Sequence, residues 1–177
     1  FLADRFLPPE KGSLVRAAWL SKTDLITGVV REFPELQGIM GKYYALLDGE
    51  GKEVAHALEE QYLPAYSGGA LPQTDIGALL SIADKIDTIA AFFSIGLMPT
   101  GSEDPFALRR QALGIIAIML DRGINVPLQD LVDEAVRIVS HGERFDAVKE
   151  HILQFLENRV ETVFSDLGYS PDLIHSI

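Results

Sequence analysis

A few residues of this chain combine side-chain types and spacings that could do chemistry. Asp84 and Asp87 stand at i and i+3 in IADKIDTIAAFF, so on a helix they project from one side. Two carboxylates so placed could hold a divalent cation. With no histidine nearby in sequence, an internal salt bridge to Lys22, Lys42 or an arginine is the favoured expectation. Arg109 and Arg110 are adjacent near the start of a helical pattern, where two cations oppose the helix dipole at a cost of about 0.5 kcal/mol each. They call for an acidic or anionic partner. His56, His141, His151 and His175 are dispersed and read as surface or helix-end residues rather than ligands. The chain has no Walker loop, no GxGxxG, no HExxH and no cysteine nucleophile.

These residues are carried by helical patterns throughout. In RAAWLSKTDLITGVVREFPELQGIMGKYY, Ala17, Ala18, Leu20, Leu25, Ile26, Val29, Val30 and Phe33 recur at helical spacing, predicting one helix that Pro34 ends. A second helix then starts at Pro34, giving a hairpin with its corner at Glu32–Glu35. Gly38 and Gly41 fall inside that second helix, where each costs about 1 kcal/mol relative to alanine. Close approach of another helix backbone, or of a ligand, is expected to offset this. Further helices are predicted over Glu53–Leu63, from Thr74 or Asp75 to about Ile95, from Pro105 to about Leu120, over Leu128–Ser140 and over Phe145–Leu167, with a short terminal one after Ser170-Pro171. The stretch from Ile76 to Phe93 is nearly apolar all round, which predicts a long, central, buried helix. Phe106, Leu108, Leu113, Ile116, Ile118 and Met119 are the core candidates of the helix that follows. No strand alternation is evident, and the expected fold is all-α.

The length of 177 residues suits about one domain. Residues 1–15 read as a leading segment, with Pro8-Pro9 breaking helix and Gly12-Ser13 turning, and residues 16–177 as the domain. A start at Phe1 without methionine is expected of a fragment or a processed chain. The lack of cysteine removes disulfides and cysteine zinc sites and is compatible with a reducing compartment, so a cytoplasmic location is expected. No apolar run approaches the ~20 residues of a bilayer helix, so no membrane partner is expected. The net charge of −11 disfavours non-specific nucleic-acid binding by the chain as a whole. The excess is uneven: Phe1–Glu50 carries six basic and seven acidic residues, and Ser102–Ile177 seven and thirteen. An anion-facing surface is therefore to be sought in the first half or at Arg109-Arg110.

Four strings in order, SKTDLITGVVREFPELQGIMGKYYA, ALEEQYLPAYSGGALPQT, IADKIDTIAAFFSIGLMPTGSEDPFALRRQALGII and GYSPDLI, resemble the beta subunit of the bacterial-type heterotetrameric glycyl-tRNA synthetase, almost continuously from Arg16 to the end. The resemblance implies an HD-like helical bundle, from the middle of a tRNA-binding subunit, ahead of an anticodon-binding part. It implies an alpha subunit that carries the active site for glycine and ATP, tRNA(Gly) as the other partner, and no cofactor in this piece, with ATP and Mg2+ used by the whole enzyme through the alpha chain. HD phosphohydrolases bind metal through a His, a His-Asp pair and a later Asp. By resemblance AAWLSKTD corresponds to the helix of the pair, which falls on Ser21-Lys22, and IADKID to the helix of the last Asp, which falls on Asp84. The His-Asp pair is absent from the chain, so Ser21, Lys22, Asp84 and Asp87 form a relic site in which Lys22 is expected to neutralise Asp84 in place of metal. Candidate tRNA contacts are Lys22, Arg31, Lys42, Lys85, Arg109 and Arg110; no catalytic and no metal-binding residue is expected. A metal-dependent phosphohydrolase and a protein scaffold docking the alpha subunit are the rival readings. The family pattern also leads us to expect further residues between Glu10 and Val15.

Overall fold

The computed structural model describes residues 1–7, 9–101, 103–139 and 144–170, with Arg144 represented by its backbone. Among the described residues the fold is all-α, and the only extended pairing is an isolated bridge between Thr100 and Glu103. Contacts divide the chain into two compact units, Phe1–Asp84 and Lys85–Ile177.

In the first unit, helices α1 (Leu2–Phe6), α2 (Lys11–Leu20), α3 (Gly28–Glu32), α4 (Ile39–Leu47) and α5 (Lys52–Glu60) are joined by two 3-10 turns, Thr23–Ile26 and Pro34–Leu36. Residues 1–15 do not stand apart: Leu2, Ala3 and Leu14 are buried, and Gly12 and Ser13, expected in a turn, lie inside α2. The predicted single helix up to Pro34 is broken into pieces. Ser21 Oγ donates to the Ala18 carbonyl and Thr23 Oγ1 to the Leu20 carbonyl, both at 2.7 Å, and the Thr27 hydroxyl accepts from Val30 N–H and caps α3. Short hydroxyl side chains thus compete with the helical ladder at three points. Pro34 starts a turn rather than a helix.

Gly38 and Gly41 have two different reasons for being glycine. Gly38 precedes α4 with φ +80°, and a Cβ there would lie 2.7 Å from the Tyr62 ring. Gly41 lies inside α4, where a Cβ would sit 3.4 Å from the Asp24 carboxyl carbon. The neighbour expected as a helix backbone or a ligand is, at Gly41, a side chain of the same unit. On the same helix Ala45 packs with Ala55 and Leu58 of α5. The opposite side of α4 carries Ile39, Tyr43, Leu46 and Leu47, all exposed, with Leu47 at 82%.

Helix α6 (Asp75–Ser94) is the predicted long apolar helix. Ile76, Leu79, Leu80, Ile82, Ile86, Ile89, Ala90 and Phe93 are buried along it. Each such aliphatic side chain contributes about 1.5–3 kcal/mol. Its start is fixed by Thr74 Oγ1, which accepts from Gly77 N–H at 3.0 Å, and by the buried Glu60 carboxylate, which accepts from the N–H groups of Gln73 and Thr74. In the second unit α7 (Leu108–Arg122), α8 (Leu128–Val139) and α9 (Arg144–Asp166) follow, and α9 packs on both α7 and α8. Helix α7 begins three residues later than predicted, because Pro105–Ala107 form a turn that ends with Ala107 at φ +54°. Leu108, Ile116 and Ile118 are buried as expected, whereas Phe106 is 42% exposed. The predicted terminal helix after Pro171 lies outside the described residues.

Candidate functional site

Ser21, Lys22 and Asp84, all in the first unit, meet at the end of α2. Its last turn closes on Ser21, and Lys22 takes a left-handed backbone at φ +63°, uncommon for a side chain with a Cβ. From there the Lys22 ammonium lies 2.5 Å from Asp84 Oδ1 on α6, in a pair that remains partly exposed. Asp87, expected beside Asp84, is exposed one helical turn on.

Two residues that the sequence did not single out complete the cluster. Asp24 is 2% exposed; its Oδ2 accepts from Gly38 N–H at 2.6 Å and its Oδ1 from the Tyr62 hydroxyl at a long 3.4 Å. The Tyr62 phenol is pushed up to about 12 by burial, with Asp24 and Asp84 adding to the rise and a hydrogen bond with Gln37 opposing it. It therefore stays neutral across the physiological range. The signal for Asp24 was present but indirect: a carboxylate in an apolar stretch, followed by two glycines that make room for it.

This cluster is a structural lock in its chemistry. One carboxylate is met by an ammonium and the other by an N–H and an O–H. Among the described residues no three His, Asp or Glu side chains converge as metal ligands. His56 and His151 are exposed, and His141 and His175 lie outside the described residues.

The predicted cations divide between the units. Lys42 pairs with Glu59 at 2.5 Å, and Arg31 is exposed on α3. Lys85 is only 5% exposed and is engaged in polar interactions within the protein, which corrects its place among the tRNA candidates: a buried ammonium does not reach a phosphate. In the second unit Asp104 accepts from the N–H groups of Leu108 and Arg109 at 2.8 and 3.0 Å, so it caps α7 from four residues upstream of the first helical turn's amide. Arg109 Nη2 donates to the Gly101 carbonyl at 2.7 Å, and Arg110 is exposed. Arg159 of α9, unmarked in the sequence, lies over the Phe155 ring at 4.9 Å. Its ionisation is shifted downward by burial and then by the like charge of Arg109, with Asp104 opposing. Arg109 and Arg159 thus lie near one carboxylate whose two oxygens already serve backbone amides, and Arg110, next in the chain, is exposed. Beside them, Leu97, Met98, Pro99, Phe106 and Leu108, with Asp104, line a surface cleft of about 180 Å³.

Fold and site together define an all-α module whose buried carboxylates Asp24 and Glu60 are held by backbone and hydroxyl donors. The family model described as glycyl-tRNA synthetase beta subunit matches residues 1–177. The chain is 50% identical to the glycine–tRNA ligase beta subunit of Clostridioides difficile over 97% of its length and 51% identical to that of Geobacter sulfurreducens over 98%. It is 47% identical to that of Syntrophus aciditrophicus over 100%. It belongs to the glycyl-tRNA synthetase beta subunit family. It spans about a quarter of the length of these relatives, 25% of the first two and 26% of the third.

Proposed function

We propose that this chain is a tRNA-binding part of a glycine–tRNA ligase, holding tRNA(Gly) for a catalytic alpha subunit and making no bond itself. The observation that carries this reading is that Arg109 and Arg159 share one carboxylate already committed to two amides, with the exposed Arg110 next to Arg109 in the chain. Phosphate is the partner that such a group lacks. In this reading ATP and Mg2+ act on the alpha subunit, the assembly works in the cytoplasm, and the first unit is an HD-like scaffold in which the Lys22–Asp84 pair stands where a metal was once held. Replacing Arg109 and Arg110 by glutamine in the full ligase should weaken tRNA binding for all tRNA sequences alike and lower the salt slope by about 2. Unchanged binding would remove both residues from the interface.

A second surface of the first unit supports docking of the alpha subunit. The outer stripe Ile39, Tyr43, Leu46 and Leu47 makes α4 apolar on both sides, and Trp19 on α2 is 79% exposed. A helix of that character belongs against another protein surface. Leu47→Glu combined with Tyr43→Glu in the full beta subunit should lower recovery of the alpha–beta assembly in size-exclusion chromatography. Full recovery would dismiss this surface.

A further inference from the structure

We infer that the cleft between the Leu97–Pro99 loop and Phe106 is a subsite for one unpaired RNA base, with the neighbouring arginines holding its phosphates. The inference rests on the tRNA-binding reading above and names where and in what form the RNA is gripped. The floor is built: Phe106 stacks on Phe92 with ring centroids 4.1 Å apart and planes 27° from parallel, and Leu108 beneath is fully buried. Braced in this way, Phe106 still exposes 42% of its surface, and Met98 opposite it is 41% exposed. A braced, accessible ring and a polarisable thioether are what a base needs in order to stack.

The volume decides between ligands. About 180 Å³ is well short of the ~300–1,000 Å³ that encloses a drug-sized or nucleotide-sized molecule, and it suits one ring system entering edge first. A paired base is hidden in its stack, so the occupant has to be unpaired. Thr100 and Glu103, which pair through their backbones, also line the cleft and bring hydrogen-bonding groups that can meet a base edge. The charge lies on the Asp104 side, where Arg109 and Arg159 face that single residue and Arg110 is open to solvent. An apolar slot with cations at one lip matches the covalent pairing of base and phosphate in a nucleotide. An apolar peptide would fill the slot but leave the arginines without partners.

The test uses the full ligase with tRNA carrying photoreactive 4-thiouridine at unpaired positions. Irradiation and digestion at lysine and arginine should yield a crosslink in the peptide Ile86–Arg109, within Leu97–Phe106. Met98→Glu, which puts a charge on an exposed wall, should remove that crosslink and weaken tRNA binding about tenfold. Met98→Leu should retain both, and equal thermal unfolding of the two variants shows that folding is not the cause. If neither a crosslink in this peptide nor a loss with Met98→Glu is found while the Arg109/Arg110 variant still binds weakly, the base subsite is wrong and the tRNA reading stands. If the arginine variant also binds normally, both fall. Loss of alpha-subunit assembly with Met98→Glu, at unchanged RNA crosslinking, would assign the cleft to a protein partner and overturn the inference.

Discussion

Two local groups of charged residues, around Asp24 and Asp84 in the first unit and around Asp104 in the second, treat their cations differently, although the second unit also holds the internal pairs Arg137–Glu134 and Lys149–Asp133. In Phe1–Asp84 the cations near the cluster are spent internally: Lys22 on Asp84, Lys42 on Glu59 and Arg16 on Glu50, each at 2.5 Å. The buried carboxylates Asp24 and Glu60 are likewise saturated by backbone and hydroxyl donors. In Lys85–Ile177 the cap residue Asp104 serves two amides, with Arg109 and Arg159 as its cationic neighbours. The overall charge of −11 hides this difference, because attraction for an anion is set by local imbalance rather than by the sum. The cluster of the first unit therefore spends its charges on holding the unit together, whereas beside Asp104 the Arg110 side chain is exposed.

The comparison is broken most severely at Asp24. Asp24→Ala strands the Gly38 N–H in a buried site and opens a void against Gly41, so denaturant unfolding should show a loss of about 3 kcal/mol. A loss below about 1 kcal/mol would mean that this carboxylate does not organise the unit. The next effect is on pH dependence. Tyr62 has its folded value raised from 10.0 to about 12, so its contribution to stability is complete below pH 10 and is lost as pH rises through the folded value. Tyr62→Phe should flatten the fall in stability between pH 10 and 12 by about 1 kcal/mol, after allowance for solvent screening. Equal slopes in the two proteins would contradict the burial assigned to this phenol. A smaller change is expected for Lys22→Met. Its pair with Asp84 is partly exposed, and calorimetry should find about 0.5 kcal/mol or less. Arg110→Gln should leave the melting temperature unchanged, since the residue is exposed and contributes outward.

How far these features could be read in advance depended on their reach along the chain. Helices α6, α8 and α9 follow from their apolar period, because many residues vote for one geometry over several turns. The stretch Arg16–Phe33 has a similar period, yet the hydroxyls of Ser21, Thr23 and Thr27 each capture a nearby backbone group and divide it. In such a stretch the local contest outweighs the pattern. Asp104 caps the helix predicted from Pro105, but the turn through Ala107 moves the start of that helix by three residues. The role of Phe106 was misjudged for the same reason: it falls in the turn, where helical spacing does not apply. The Lys22–Asp84 neighbourhood joins residues far apart in sequence: charge balance offered Lys22 as one of several partners, and the family resemblance singled it out. Arg159 sits within a long amphipathic helix, and nothing near it in sequence marks it as a neighbour of Arg109. Gly38 and Gly41 announced a close approach but not its source, which is Tyr62 for one and Asp24 for the other.

The proposed function assigns Lys22 and Lys42 to internal ion pairs and Arg109 and Arg110 to RNA phosphate. The direct measurement is the slope of log affinity against log salt for tRNA binding by the full ligase, taken for the Lys22→Gln/Lys42→Gln protein and the Arg109→Gln/Arg110→Gln protein beside the parent. The account predicts the parent slope for the lysine variant and a slope lower by about 2 for the arginine variant. A slope that drops for the lysine variant and stays at the parent value for the arginine variant would contradict it.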